Sequence, residues 1–341
     1  MQDMGQPTRS AVAEPAGPPT DTASTAVPVA EPATVAICAY TVWRWENMIA
    51  AVESAVAQFL PGDECVVVID HNRELYERTS AHFAGRAMIR TIESDGPKGL
   101  SGARNTAIAT SRGAIVAFLD DDAVAQPGWL DGMRTTLSEP DVLGVGTAAL
   151  PQWPGGIRPT WFPQEFYWVV GCSYVGMPTQ RSDVRNVIGA TMAFRREAFE
   201  LAGNFSSVVG RVGATLTGCE ETELCIRLGN AKPGARIAYL PDVSVAHTVT
   251  PDRLRLGYFL RRCYGEGRSK AQVSRMVGMG KGLSSERSYA TSVLPRGVVR
   301  ELRRMIRGHL SGLSAALLII FGLLFTTMGY AEGRVSRWRL R

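Results

Sequence analysis

The sequence predicts an α/β domain: a mostly parallel central sheet flanked by helices. Three observations predict it. Short apolar, β-leaning runs alternate with stretches of helical spacing between Thr34 and Ala123. Two of those runs end in carboxylates, at Asp70 and at Asp120–Asp122, and in such sheets ligands collect outside the carboxyl ends of the strands. The chain, at 341 residues and 45% hydrophobic, has ample material for a core.

The elements follow in order. Residues 1–33 are rich in Ala, Pro, Thr and Ser, lack the basic start and apolar core of a signal peptide, and are expected to be disordered. "TVAICAY", Thr34 to Tyr40, reads as a buried first strand. "WENMIAAVESAVAQFL" places Met48, Val52, Ala55, Val56 and Phe59 at helical spacing, and "PGDE" breaks it. "CVVVIDHN" is a second strand, a helix from about Arg73 to Phe83 leads to "AMIRTIES", "SGARNTAIATS" is a helix with small residues at its start, and "GAIVAFLDDDA" is the next strand. Beyond residue 145 the pattern loosens into an aromatic, Gly- and Pro-rich stretch. Thr191 to Arg195 then reads as a short strand, followed by a helix closed by Gly203, and "TGCEETELCIRLGNAKPGARIAYLPDVSVAHTV" reads as a helix and two strands.

Charge is unevenly spread. Residues 1–250 carry 19 Lys/Arg against 27 Asp/Glu, and residues 251–341 carry 18 against 5. An acidic body with a basic tail argues against nucleic acid as a partner and for contact with an anionic surface such as membrane lipids. The six cysteines form no C-x-x-C pair and read as small buried hydrophobes in a reducing compartment.

Three adjacent carboxylates at a sheet edge raise one another's pKa unless a cation compensates them. A hard divalent ion, Mg²⁺ or Mn²⁺, takes one or two such ligands and the rest from phosphates and water. An exposed acidic turn or helix start is the other reading of "FLDDDA".

The blocks "VAICAYTVWRWENMIAAVESAVAQ", "CVVVIDHN", "GLSGARNTAIATSRGAIVAFLDDDA", "IGATMAFRREAFELAGNF" and "CEETELCIRL", in this order, resemble those of family 2 glycosyltransferases with the Rossmann-like GT-A fold. The resemblance covers about residues 34–270 and implies a nucleotide-diphospho-sugar donor, a divalent metal and inversion at the anomeric carbon. It divides the body into a nucleotide-sugar-binding half, 34–145, and an acceptor-binding half, 146–250. By position it implies that Ala39 and Tyr40 border the base and that Asp70 accepts a bond from base or ribose. Arg104 would face base or phosphate, with Gly99 allowing close backbone approach. Asp120 would touch ribose or sugar, Asp121 would turn to the donor, and Asp122 would hold the metal, with His247 either completing that site or packing as an ordinary imidazole. Gly189 and Ala190 would line the acceptor mouth. Trp161 and Trp168 belong to an aromatic group that is either core or an acceptor platform. The catalytic base would come from the acidic pair, Glu221 first and Glu220 second, where the family's usual second member is Asp. Arg227, one or two turns later, could pair with a carboxylate. His71, His82 and His309 read as surface or interfacial.

Residues 251–307 read as basic amphipathic helices. Leu310 to Ala331 is a run of 22 residues without charge, about 33 Å as a helix, within a segment, 308–331, that either spans a bilayer or lies on one. Arg300, Arg303, Arg304 and Arg307 precede it, and a basic tail, 332–341, follows; Tyr330 and Trp338 suit an interface. The expected activity is sugar transfer to a lipid-linked or cell-envelope glycan acceptor, with the catalytic body on the cytoplasmic side of the cell inner membrane. Two other classes remain in view. One is a non-catalytic, membrane-tethered sugar-nucleotide-binding scaffold. The other is a nucleotidyltransferase, which should carry a Gly-rich phosphate loop where this chain has "AYTVWRW".

Overall fold

In the computed structural model, residues 1–2, 31–207, 218–278 and 284–335 are described. Most of the N-terminal segment expected to be disordered lies outside them, as do Trp338 and the last arginines, Arg337, Arg339 and Arg341.

The first part of the body follows the predicted alternation. Strand β1 (Ala33–Ala39) is followed by helix α1 (Trp45–Val56), β2 (Glu64–Ile69), α2 (Arg73–His82), β3 (Ile89–Glu93), α3 (Leu100–Thr110) and β4 (Ile115–Leu119). All six residues of β2 and all five of β4 are buried. Covered on both faces, these strands need the continuous apolar runs that made them legible. They pair in parallel, β1 with β2 and β4, and β2 with β3.

Past β4 the sheet turns mixed. A short β5 (Ala123–Ala125) precedes α4 (Trp129–Leu137) and the long β6 (Val142–Gln152). Then come β7 (Ser182–Asp183), β8 (Thr191–Arg195), α5 (Arg196–Ala202), α6 (Glu220–Ala231) and β9 (Arg236–Thr248). The order across the sheet is β3-β2-β1-β4-β8-β6-β9-β5, with β7 on β9. Strand β8 runs antiparallel to both β4 and β6, so the halves expected at 34–145 and 146–250 share one sheet.

Two local readings are corrected. The stretch after residue 145 does not loosen at once, because β6 runs on to Gln152. The two strands expected before His247 are one strand, β9, whose pairing with β6 jumps from Leu240 to Ser244. Pro241 cannot donate to a ladder, and the chain bulges there.

The C-terminal region comprises α7 (Leu256–Val277), a short α8 (Ser284–Ser288), α9 (Leu294–Ile306) and α10 (Ser311–Val335). The chain from Glu31 onward forms one unit. Helix α10 packs on α7 and α9 by close backbone approach. A Cβ on Gly267 of α7 would lie 2.0 Å from the Thr326 carbonyl oxygen, and one on Gly329 2.0 Å from that of Tyr264. Small residues at such contacts let helices pack without a large apolar interface. The aromatic stretch after residue 160 is the joint between this region and the body: Phe162, Phe166 and Tyr167 cluster with Phe259, Leu294, Leu318 and Ile319. Five of the six cysteines are buried, Cys38 is half-buried, and none is bridged.

Candidate active site

The acidic cluster closes β4 at the carboxyl edge of the sheet. Asp121 and Asp122 are buried, Asp120 half-buried. The positive charges beside Asp121 and Asp122 come from three distant places in the chain. Arg44, just before α1, reaches Asp121 at 2.6 Å and Asp122 at 3.1 Å. His247, near the end of β9, places Nε2 3.2 Å from Asp122 Oδ1, and Arg253, six residues on, places Nη2 3.2 Å from Oδ2. Burial alone would push the Asp122 carboxyl up, but the His247 imidazolium, then Arg44 and Arg253, hold it far below the usual range. Burial opposes the charge on His247, yet Asp122 raises it to about 10. Asp121 behaves in the opposite way: burial, only partly offset by Arg44, lifts it to about 7, and its Oδ2 has no partner among the described residues.

His247 is also held from behind, with Cys172 Sγ 3.8 Å from its Nδ1. Gly171, at φ +87°, leaves room for the ring, since a Cβ there would meet Cε1 at 3.0 Å. Ligand atoms of Asp120, Asp122 and His247 all lie within 4.8 Å of one another. Two carboxylates and an imidazole that yields its Nε2 proton on binding fit, in that compass, a divalent ion that keeps positions for phosphate and water.

Arg104 joins this cluster to the acidic pair. It is 2% exposed, and it donates to Glu220 Oε1 at 3.1 Å, to Asp120 Oδ1 at 3.3 Å and to the Gly189 carbonyl at 2.8 Å. The guanidinium therefore bridges the two carboxylates and the loop at Gly189. Glu220 is buried. Its neighbour Glu221 is half-buried, accepts from Thr222 at 3.3 Å, and is lifted to about 7 by burial and by the charge of Glu220. Arg227 pairs with a carboxylate of the same helix, Glu223, at 2.7 Å.

The other expected site residues fall as follows. Both oxygens of Asp70 are engaged within the chain: Oδ2 accepts from the Gly99 amide at 3.0 Å and Oδ1 lies 2.8 Å from His71 Nδ1. Asp70 thus fixes the start of α3, where Gly99 adopts φ +126°. Ala39 is buried in β1 and Tyr40 is exposed beside it. Gly189 and Ala190 line a cavity of about 610 Å³ together with Arg104, Asp120, Glu220 and Glu221. Trp168 lines it too, donating from Nε1 to the Tyr289 hydroxyl at 3.2 Å. Trp161 instead packs on Phe162 with ring centroids 5.4 Å apart. His82 and His309 are exposed.

Sequence reasoning gave no role to Arg44 or Arg253. The available signal was the cluster itself: buried carboxylates need cations, and Arg44 sits in the loop that leaves the first strand at the ligand edge.

A mixed sheet with carboxylates at its carboxyl edge, an acidic helix start across a cavity and a divalent-ion-sized donor set define a glycosyltransferase of the GT-A fold. Residues 34–202 match the family described as Glycosyl transferase family 2, and the chain belongs to it. A glucosyl-dolichyl phosphate glucuronosyltransferase of Haloferax volcanii is 29% identical over 306 residues, 89% of this chain and 96% of that protein. A pre-mycofactocin glycosyltransferase of Mycobacterium tuberculosis is 27% identical over 183 residues, 53% of this chain and 37% of that protein. Among solved structures, a mannosyltransferase from Pyrobaculum calidifontis in complex with GDP-Man and Mn²⁺ has a TM-score of 0.55 at 16% identity, covering 87% of this chain and 86% of that one.

Proposed function

We propose that the protein is an inverting, metal-dependent glycosyltransferase that moves a sugar from a nucleotide-diphospho-sugar to a lipid-linked or cell-envelope glycan acceptor. One observation carries this reading. Asp120 belongs both to the trio able to hold an ion and to the cavity that Glu221 lines, so donor and base share a wall.

Asp120, Asp122 and His247 would hold Mn²⁺ or Mg²⁺, which when bound supplies positive charge to the diphosphate. The chain's own groups do the rest. Arg44 and Arg253 add fixed cations where the leaving group gains charge, stabilising the transition state more than the bound donor. Glu221, with a carboxyl near neutrality, takes the acceptor hydroxyl's proton from the opposite side of the sugar. Glu220, tied to Arg104, keeps Glu221 in place and raises its basicity. Tyr40, exposed beside β1, and the Asp70–Gly99 loop border the nucleoside.

The acceptor assignment draws on the Haloferax relative's name and on α10. That helix is 25 residues long with mean hydropathy 2.0 over its apolar window. One side is covered by the protein, and at Gly322 it receives the Phe166 ring, 2.3 Å from where a Cβ would stand. The outer side exposes Leu313, Leu317, Ile320, Phe321, Leu324 and Met328. A helix crossing the bilayer would carry Phe166 and its cluster into hydrocarbon, so we read α10 as lying along the membrane surface. Exposed Arg296, Arg303 and Arg307 on and just after α9 then meet anionic headgroups. Sugar nucleotides are made in the cytosol, which sets the body on the cytoplasmic side of the inner membrane.

Full-length protein in detergent, given Mn²⁺ and a panel of nucleotide-sugars, should hydrolyse one of them slowly. Tight binding of a sugar nucleotide with no turnover, even with added lipid acceptors, would identify a scaffold instead.

A further inference from the structure

We propose that Cys172 is a positioning residue for the ion site: its sulfur accepts the Nδ1 proton of His247 and so presents a bare Nε2 to a divalent ion. The proposal rests on the metal-dependent reading above and concerns how this chain prepares the imidazole for that task.

An imidazole binds a metal through a nitrogen that carries no proton, and the neutral ring keeps its one proton on the other nitrogen. That proton needs an acceptor, because His247 is 2% exposed and a buried donor without a partner is costly. Among the described residues the partner of Nδ1 is Cys172 Sγ, at 3.8 Å. The reverse arrangement, a thiol proton given to Nδ1, would put the ring proton on Nε2 and close that nitrogen to an ion. The thiol proton has another acceptor, however, since the Val170 carbonyl oxygen lies 3.9 Å from Sγ. The sulfur's lone pairs are thereby left for Nδ1. The same carbonyl accepts from Arg253 Nη1 at 3.2 Å, and Arg253 Nη2 reaches Asp122 at 3.2 Å. A closed ring of contacts therefore runs from Asp122 through His247, Cys172, Val170 and Arg253 back to Asp122.

The backbone puts the sulfur in this ring. A 3₁₀-helix, Gln164–Val170, ends at Gly171, whose φ of +87° turns the chain. The Cys172 amide donates back to the Tyr167 carbonyl at 3.1 Å, and the Ser173 amide donates to the Ala149 carbonyl of β6 at 2.8 Å. Ala149 pairs with Val245 of β9, two residues before His247. The turn is thus pinned to the strands that carry the imidazole. Cys172 also packs in the aromatic joint with Phe166 and Phe259, so the experiment has to separate positioning from packing.

The test titrates full-length protein in detergent with Mn²⁺ alone and counts the free ion by electron spin resonance. Spin-echo spectra of the bound ion then detect a coordinated imidazole through its nitrogen modulation. Cys172→Ala removes only the sulfur. Cys263→Ala, an equal truncation at a buried cysteine of the same joint, is the packing control. The parent should show nitrogen modulation. Cys172→Ala should weaken Mn²⁺ binding about 10–100-fold and diminish the modulation, and Cys172→Ser, which restores an acceptor, should recover part of both. Cys263→Ala should leave both unchanged, whatever it does to Tm. Parent-like affinity and modulation in Cys172→Ala overturn the proposal. So do equal losses in the two alanine variants, or a parent without nitrogen modulation. Where Cys172→Ala fails to fold, Cys172→Val decides by the same criteria, since it fills the space without a lone pair. Mn²⁺-dependent hydrolysis of a nucleotide-sugar, measured on the same preparations, separates the two readings. If the parent hydrolyses donor and Cys172→Ala keeps the parent's Mn²⁺ affinity, only the positioning role is wrong. If the parent binds neither Mn²⁺ nor any sugar nucleotide, the glycosyltransferase reading fails and this proposal falls with it.

Discussion

Arg104 holds Glu220 at 3.1 Å, and this contact sorts two adjacent glutamates into different tasks. Glu220 gives one oxygen to the brace, while Glu221, half-buried on the same cavity, has a carboxyl that burial and the charge of Glu220 lift to about 7. Glu221→Gln should therefore stop transfer while donor binding persists, with kcat falling at least about 100-fold and the donor Kd changing little. Full activity in Glu221→Gln with a dead Glu220→Gln would reverse the assignment.

The same carboxyl sets a pH dependence. Its ordinary value of 4.5 is raised to about 7, so as the base it is increasingly deprotonated as pH rises through 7. kcat/KM should climb with pH to a plateau above that point. Stability runs the other way. A group whose folded pKa is raised contributes stability fully below its unfolded value, and that contribution is lost as pH rises through the folded pKa. Glu221→Gln should thus raise Tm relative to the parent at pH 8 and change it little at pH 4.

Breaking the brace should cost more than removing the base. Arg104→Met leaves buried Glu220 and half-buried Asp120 without their shared cation. The expected destabilisation is about 3–5 kcal/mol, read as a fall in the denaturant midpoint with an unchanged slope. A loss under about 1 kcal/mol would mean that another cation takes over.

Arg253 offers a cleaner probe of leaving-group chemistry. Its guanidinium donates to Asp122 and to the Val170 carbonyl, both at 3.2 Å, and lies close to the ion-holding trio. Arg253→Gln should lower kcat by about 10²–10³, with a smaller effect on KM. A change confined to KM would make it a donor-binding residue alone.

Asp122→Asn should remove Mn²⁺-dependent uptake of a sugar nucleotide, followed by calorimetry with and without the ion. Retained uptake would place the ion elsewhere and leave Asp122 as the counterion of Arg44, His247 and Arg253.

What the sequence made legible follows from which signals are local. Strands β1, β2 and β4 are apolar on both faces, so their runs announce themselves, and the carboxylates at their ends mark the ligand edge. The acidic start of α6 carries its own charge pattern. Strand β6 hid because it is built of Gly and Ala as much as Val. A Cβ on Gly144 would meet Phe194 at 2.8 Å, and one on Gly146 would meet Val187 at 2.6 Å, so packing partners far along the chain chose those residues. Arg44 and Arg253 hid for a related reason. Each acts through a loop that only the folded sheet brings to Asp122, and no spacing in the sequence records that meeting. The Trp161 and Trp168 pair was ambiguous by composition; in the fold both pack against the joint, and Trp168 also lines the cavity.

The notch at Gly322 that receives Phe166 has a practical consequence for anyone making a water-soluble version. Cutting the chain before Ser311 would remove the one long apolar helix among the described residues and, in the same stroke, uncover an aromatic seam and take out one side of the cavity that Glu221 lines. Such a fragment should clump, and any of it that survives should still process donor yet have nowhere to hold a greasy substrate.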